Sequence, residues 1–414
     1  MMLNDAFHYR TDSLYADSVR VNSILQSVGT PVYIYSLKRI LTNYYTIRDA
    51  FFGAGIHAHV HYSAKANANL AILRTLIAAG AQIDAVSGGE IYRALQAGAS
   101  PKSLVFAGVG KTVSELRYAM EQGVGWINGE NIEEFSLIDH LAGTLGIRQQ
   151  VSLRLNPNIA AKTLPHIATG HGGAKFGLSA DAISRILSRA ADYPHLIFDG
   201  IHVHIGSQLH DVTETVQAVQ LARDLAAEFP IIQTLDIGGG IPVAYSPGET
   251  LPDVRDFAEA LAPVVAGYQV LLEPGRRIVA DAGILVTEVQ YIKHQGDESF
   301  VIVDAGMTEL IRPMLYNAHH EVTPVERKPG SILHAQLVGP VCESTDVFAQ
   351  RIALQGVERG DALALLTAGA YGMVMASNYN ARPRPPEVVI HPNGETWSVA
   401  RRRETWADLT ALEE

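Results

Sequence analysis

Cysteine is nearly absent. Cys342 is the only one among 414 residues, which excludes an intramolecular disulfide framework and suits a reducing compartment. An excess of basic charge is absent too: 32 Lys and Arg against 43 Asp and Glu leave a net charge of −11. A broad nucleic-acid-binding surface is therefore not expected, although a local anion site is compatible with that balance. The run Arg401-Arg402-Arg403 reads as a solvated edge rather than a nucleic-acid patch. No apolar run reaches the 18 or so residues of a membrane span. Asp5, Arg10, Asp12 and Asp17 interrupt the first twenty residues, which leaves no stretch with the character of a signal peptide. The expectation is a cytoplasmic protein with neither nucleic acid nor membrane as partner. Charged residues are sparse, 18% against 47% hydrophobic, so the chain is core-rich and globular rather than disordered. Its length exceeds one ordinary domain of roughly 100–200 residues, and two domains are the starting expectation.

What is present is a repeating texture. Short β-rich runs occur at His57–Ser63, Gln82–Val86, Ser103–Ala107, Trp126–Asn128, Val151–Leu155, Gly200–Ile205, Thr234–Ile237 and Val270–Glu273. The segments between them carry apolar residues at helical spacing, as in Asn69–Ala79 and Val216–Glu228. Gly80 and Gly98 stand where glycine closes a helix. Strands alternating with helices imply a parallel sheet, and eight such units in a row point to a closed (β/α)8 TIM-type barrel, with an open doubly wound sheet as the alternative. After about residue 280 the texture changes. Ile284–Tyr291, Phe300–Val303, Ile332–Val338, Ala362–Thr367, Glu387–His391 and Trp397–Arg401 are strand-like runs with turn residues between them, the pattern of an all-β domain. The predicted division is a barrel over 36–280 and a β-domain built from 1–35 and 281–414, to which the N-terminal segment supplies an edge strand.

In such a barrel the functional groups sit at the C-terminal ends of the strands. The unusual residues follow that rule. Lys65 lies just past the first run, Ser87-Gly88-Gly89-Glu90 past the second, His204 closes the sixth, Gly238-Gly239-Gly240 follows the seventh, and Glu273-Pro274-Gly275-Arg276 ends the eighth. Taken singly each has a plain reading: a surface lysine, a core or metal-binding histidine pair in His202 and His204, a turn, a loop with an ion pair. Together they suit a phosphorylated aromatic aldehyde. A glycine-rich turn opening onto a helix offers backbone N–H groups to a phosphate, and Arg276 can add a bidentate contact. A confined lysine can form a Schiff base with the aldehyde. The carboxylate of Glu273 can keep a proton on a pyridine nitrogen, which makes the ring the electron sink that loss of carbon dioxide from an amino acid requires. An arginine in that place would suit milder proton exchange, as in a racemase.

The ordered set Tyr62…Lys65-Ala66-Asn67, Ser87-Gly88-Gly89-Glu90, Lys175-Phe176-Gly177, His204-Ile205-Gly206-Ser207, Gly238-Gly239-Gly240 and Glu273-Pro274-Gly275-Arg276 resembles the alanine-racemase-fold (type III) pyridoxal-phosphate decarboxylases. Arg312-Pro313-Met314-Leu315-Tyr316, Gly339-Pro340-Val341-Cys342-Glu343-Ser344-Thr345-Asp346 and Gly369-Ala370-Tyr371-Gly372…Ser377-Asn378-Tyr379-Asn380 narrow the resemblance to the diaminopimelate decarboxylases. It implies pyridoxal 5'-phosphate as cofactor, with Lys65 carrying the Schiff base, His204 stacking on the ring and Glu273 on the pyridine nitrogen. Gly238, Gly239, Gly240, Ser207, Gly275, Arg276 and Tyr371 would surround the phosphate. Arg276, Arg312, Tyr316, Glu343 and Tyr371 would bind meso-diaminopimelate, Arg312 and Tyr316 at its distal carboxylate and Glu343 at its distal ammonium. Cys342 would help return a proton to the carbanion. The resemblance further implies a homodimer in which Cys342 and Glu343 come from the partner. Asp84 is either part of this site or a structural acid beside it.

The activity so implied is decarboxylation of meso-2,6-diaminopimelate to L-lysine. A carboxynorspermidine decarboxylase, or another basic amino-acid decarboxylase of the same fold, is the alternative enzyme. A catalytically inactive regulatory relative is the alternative of a different class, against which the retention of Lys65, Glu273 and Cys342 stands.

Overall fold

The eight strand–helix repeats close on themselves into a parallel barrel. The structure, a computed structural model, describes residues 2–159, 169–170 and 174–414. It contains two compact units: Asn43–Val243 with Leu251–Arg277, which holds the barrel, and Met1–Thr42 with Ala244–Thr250 and Ile278–Glu414. The barrel strands are β1 Ala58–Ser63, β2 Gln82–Ala85, β3 Leu104–Phe106, β4 Trp126–Gly129, β5 Gln149–Leu155, β6 Leu196–Val203, β7 Thr234–Asp236 and β8 Gln269–Leu272. β8 pairs with β1 through Val270↔Ala58, Leu271↔His59 and Leu272↔Val60, which closes the ring. A closed ring leaves no sheet edge exposed, and the barrel alternative is the one realised.

The sequence accounts for where the barrel helices begin. Asn69, Ser87, Asn131, Ser179 and Asp211 each accept a backbone N–H of the first turn that has no partner within the helix. Thr112 with Glu115, and Asp253 with Asp256, form reciprocal capping boxes. Gly80 and Gly98 both have φ of +96°, the left-handed backbone expected just past a helix end. On the barrel strands, Ile83, Val105, Phe106, Ile127, Leu153, Ile201 and Leu235 are fully buried.

The second unit is mainly β. A strand at Gly283–Gln295 pairs with Glu298–Val303, Ala362–Leu365 and Val32–Ser36. The expected edge strand from the N-terminal segment is corrected here. Val32–Ser36 lies inside the sheet, antiparallel to Gly283–Gln295 on one side and parallel to Glu387–Ile390 on the other. All five of its residues are buried, and an apolar strand of that kind needs partners on both edges. Residues before it form their own three-stranded sheet, Phe7–Arg10, Ser13–Ala16 and Val19–Arg20. Phe7, Leu14, Ala16 and Val19 pack with Val32, Ile34, Ile284, Val286, Val388 and Ile390 in one core. The strand Val347–Gln355 was not expected from sequence; most of its residues are not buried, so no apolar alternation marks it. Among the described residues, no helix is long and apolar enough to cross a membrane.

Candidate active site

Lys65 stands in a single 3-10 turn, Ala64–Ala66, directly after β1. Its Nζ is 3.7 Å from Oδ2 of Asp84, which ends β2; the lysine side chain is 39% exposed while that of Asp84 is fully buried. The hydroxyl of Ser63 donates to Asp84 at 2.6 Å and lies 3.0 Å from the backbone oxygen of Glu273. Burial and the charge of Glu273 raise the Asp84 carboxyl, partly offset by Lys65. Asp84 is thereby the lysine's immediate acid neighbour.

Glu273 follows β8 and is 6% exposed. Its Oε2 is 3.3 Å from Nε2 of His202 on β6, and Asn128 on β4 reaches its Oε1 at 3.4 Å. Burial pushes this carboxyl up, but His202 and Lys65 outweigh that and hold it well below the usual carboxylate range. Asp236, at the end of β7, behaves oppositely. Burial and the charge of Glu273 drive it well above its ordinary value. Its Oδ1 accepts from Gly238 N–H at 3.0 Å and its Oδ2 from Asn128 at 3.2 Å. The hydroxyl of Ser152 in turn orients the amide oxygen of Asn128. His202, Asp236 and Glu273 bring side-chain donor or acceptor atoms within 4.8 Å of one another. His204 is not in that group; it faces the glycine turn, so the two histidines do not act as a pair.

The glycine turn is dictated by crowding. A Cβ on Gly239 would lie 2.3 Å from the backbone oxygen of Glu273, and one on Gly238, whose φ is +66°, would lie 2.7 Å from Nδ1 of His204. Gly239 N–H donates to that Nδ1 at 3.3 Å. An imidazole nitrogen that accepts carries no hydrogen, and burial, with the charges of Lys65 and Arg154, holds His204 well below its ordinary value. His204 is thus a neutral ring. Arg276, 7% exposed, donates from Nε to the hydroxyl of Ser207 at 3.1 Å. Among the described residues the N–H of Gly240 makes no hydrogen bond. Gly275 packs tightly on Ser63 and Ala66, where a Cβ would come within 3.0 Å of the first and 3.1 Å of the second.

These contacts bring Lys65, His204, Ser207, Gly238, Gly239, Gly240, Glu273, Gly275 and Arg276 to one end of the barrel. A half-exposed amine, a buried anionic acid, a neutral aromatic ring and an arginine with a serine hydroxyl match the aldehyde, ring nitrogen, ring face and phosphate of pyridoxal phosphate. The residues present fit that group.

The Lys175-Phe176-Gly177 motif belongs to the same unit. Glu130 accepts from Arg154 at 2.8 Å and from Gly177 N–H at 3.2 Å, and the guanidinium of Arg154 lies 4.7 Å from the centre of the Phe176 ring. In the other unit, Arg312 and Tyr316 share one short helix four residues apart, hence one face. Cys342 and Glu343 are both exposed. Cys342 N–H donates to Asn380 at 3.2 Å and Tyr379 donates to Glu343. Asp346 fixes that loop by accepting from Val341 N–H at 2.8 Å and Met307 N–H at 2.7 Å. Tyr371 holds φ of +55°, uncommon for a residue with a side chain.

Sequence reasoning missed Asn128, Asp236, Arg154 and Glu130. Each is a polar residue at or just past the C-terminal end of a barrel strand, the signal by which Lys65 and Glu273 were found.

Residues 37–280 match the family described as "Pyridoxal-dependent decarboxylase, pyridoxal binding domain". Over 99% of both chains the protein is 42% identical to the diaminopimelate decarboxylase of Pseudomonas aeruginosa. It is 39% identical to that of Aquifex aeolicus, over 97% of this chain and 96% of the relative. The chain belongs to the diaminopimelate decarboxylase family. Among solved structures, the diaminopimelate decarboxylase of M. jannaschii in complex with L-lysine superposes with a TM-score of 0.93 at 35% identity, covering 99% of this chain and 98% of that one. The barrel with a second, mainly β unit is therefore the architecture of this family, and pyridoxal phosphate is its cofactor.

Proposed function

We propose that the protein decarboxylates meso-2,6-diaminopimelate to L-lysine and carbon dioxide, as the last step of lysine synthesis. The observation that carries this reading is the state of Glu273: a buried acid held anionic just past β8, which pairs with β1, the strand that leads into Lys65. When bound, pyridoxal phosphate supplies an aldehyde for an amine to condense with and a protonated ring that withdraws electrons from the carbon losing carbon dioxide. Lys65 would hold its aldehyde carbon and Glu273 the proton on its ring nitrogen. His204 would lie against its ring face, and Gly238, Gly239, Gly240, Ser207, Gly275, Arg276 and Tyr371 would bind its phosphate. Because His204 is neutral it adds no positive charge beside a ring already made cationic. Arg276 would also face the carboxylate of the substrate.

Arg312 and Tyr316 are assigned to the distal carboxylate and Glu343 to the distal ammonium, with Tyr371 as a further contact. A fork of N–H donors suits a carboxylate, and a substrate with both groups at its far end is a diamino-dicarboxylic acid. The exposed thiol of Cys342 would hold the proton that returns to the α-carbon. In this reading the protein is a cytoplasmic homodimer, with Cys342 and Glu343 given to the site of the partner. Residues 36–280 form its cofactor-binding domain, and residues 1–35 with 281–414 its second domain. Turnover assays by carbon dioxide release should show activity on meso-diaminopimelate and little on ornithine or lysine; activity on ornithine with none on diaminopimelate would overturn the substrate.

A further inference from the structure

Arg312 is 5% exposed, and a buried guanidinium is costly unless its N–H groups are answered. Its Nη1 lies 3.0 Å from Nε2 of His320. Its Cζ stands 4.6 Å from the ring centre of Tyr245, a cation–π distance. The Tyr245 ring meets His320 edge-on, with centroids 5.5 Å apart at 84°. The backbone N–H of Tyr245 is anchored by Glu249 at 2.9 Å. His320 is itself 3% exposed.

The chemistry of the partners assigns the hydrogens on His320. A guanidinium only donates, so Nε2 must offer a lone pair. Nδ1 lies 2.9 Å from the carbonyl oxygen of Leu366, which only accepts, so Nδ1 carries the hydrogen. The ring is therefore neutral, in one tautomer, and tied at both ends.

We propose that His320 is a positioning residue for recognition of the substrate's far-end carboxylate: it fixes Nη1 of Arg312 from one side while the face of Tyr245 fixes the guanidinium plane. This rests on the assignment of Arg312 made above. A carboxylate in the place of His320 could answer the same N–H, but it would also offset the positive charge that a substrate carboxylate must feel. A neutral imidazole gives direction without that offset. Holding a planar fork in place before the ligand arrives lowers the ordering cost of binding and sharpens discrimination between far ends with and without a carboxylate.

The product tests this, because L-lysine keeps the far-end carboxylate while 1,5-diaminopentane is the same chain without it. Inhibition constants of both amines, and KM and kcat for diaminopimelate, would be measured on the holoenzyme and on His320→Ala, His320→Gln, Tyr245→Leu and Arg312→Ala. We expect His320→Ala to weaken lysine about tenfold and diaminopentane less than about twofold, with KM rising more than kcat falls. His320→Gln, which keeps an acceptor within reach of Arg312, should recover most of the loss. Tyr245→Leu should shift the same ratio without touching the imidazole, so an unstable His320→Ala protein would not leave the idea untried. Equal losses for the two amines, or none for either, would overturn it. If Arg312→Ala also fails to separate them, the assignment of Arg312 falls; if Arg312→Ala separates them and His320→Ala does not, only the role of His320 falls.

Discussion

Asp236 and Glu273 are both buried acids in the same barrel mouth, and they do not ionise alike. Two anions so close in a medium of low polarity repel strongly. Glu273 has His202 beside it and Lys65 near, whereas Asp236 shows no ion pair among the described residues, so Asp236 is the one that keeps its proton. An amide resembles a protonated acid, so Asp236→Asn should keep turnover within about fivefold, while Glu273→Gln, which removes a needed anion, should cost about a hundredfold or more in kcat. Steady-state carbon dioxide release on both variants checks the contrast. Lys65→Ala should abolish turnover and the cofactor absorbance that borohydride bleaches. Glu90 gives a pH signature. Burial, with the charge of Asp84, pushes its carboxyl up from 4.5 to about 7. The folded state then binds a proton that the unfolded state has released, so the stabilisation is complete below the ordinary value and is lost as pH rises through about 7. The melting temperature should fall between pH 5 and 8 more steeply in the unaltered protein than in Glu90→Gln.

At the scale of the element, the glycine turn after β7 is a packing necessity as well as a phosphate site. Gly239→Ala would put a methyl carbon 2.3 Å from the backbone oxygen of Glu273, just past the neighbouring strand, where nothing flexible can yield. A loss of about 1–3 kcal/mol is expected by urea unfolding, together with weaker cofactor retention on dialysis. The elements also show what was legible in the sequence. The barrel was readable because short β-rich runs alternate with segments of helical spacing, some of them closed by a glycine such as Gly80 or Gly98. Lys65, Glu273 and the glycines were readable because they interrupt apolar strands at their ends. Val347–Gln355 was not, because a strand whose residues mostly face solvent has no apolar alternation to betray it. The N-terminal segment was expected to supply an edge strand, whereas its Val32–Ser36 lies inside the sheet, because a strand's place in the sheet is a property of the assembled sheet, not of five residues. Asp236 and Asn128 were passed over because a single polar residue at a strand end carries no motif; only closure of the ring, which sets β4 and β7 across from each other, brings the two together.

For the molecule as a whole, the consequence to test is how many chains make a site. The exposure of Cys342 and Glu343 suits residues that serve a neighbouring subunit. If they do, mixing inactive Lys65→Ala with inactive Cys342→Ala protein should restore activity toward about a quarter of the unaltered level, since exchange of subunits rebuilds one intact site per mixed dimer. Each variant alone should stay inactive, and no recovery after confirmed exchange would mean that the residues act within their own chain.

The ring of strands closes where β8 meets β1, and the amine and the acid flank that closure although they lie at opposite ends of the barrel sequence. A molecule gripped by both acts as a staple across the last joint the chain makes. Filling the mouth should slow hydrogen exchange at Val270, Leu271 and Leu272 more than on the far side of the ring, and the empty protein should begin to open at this joint.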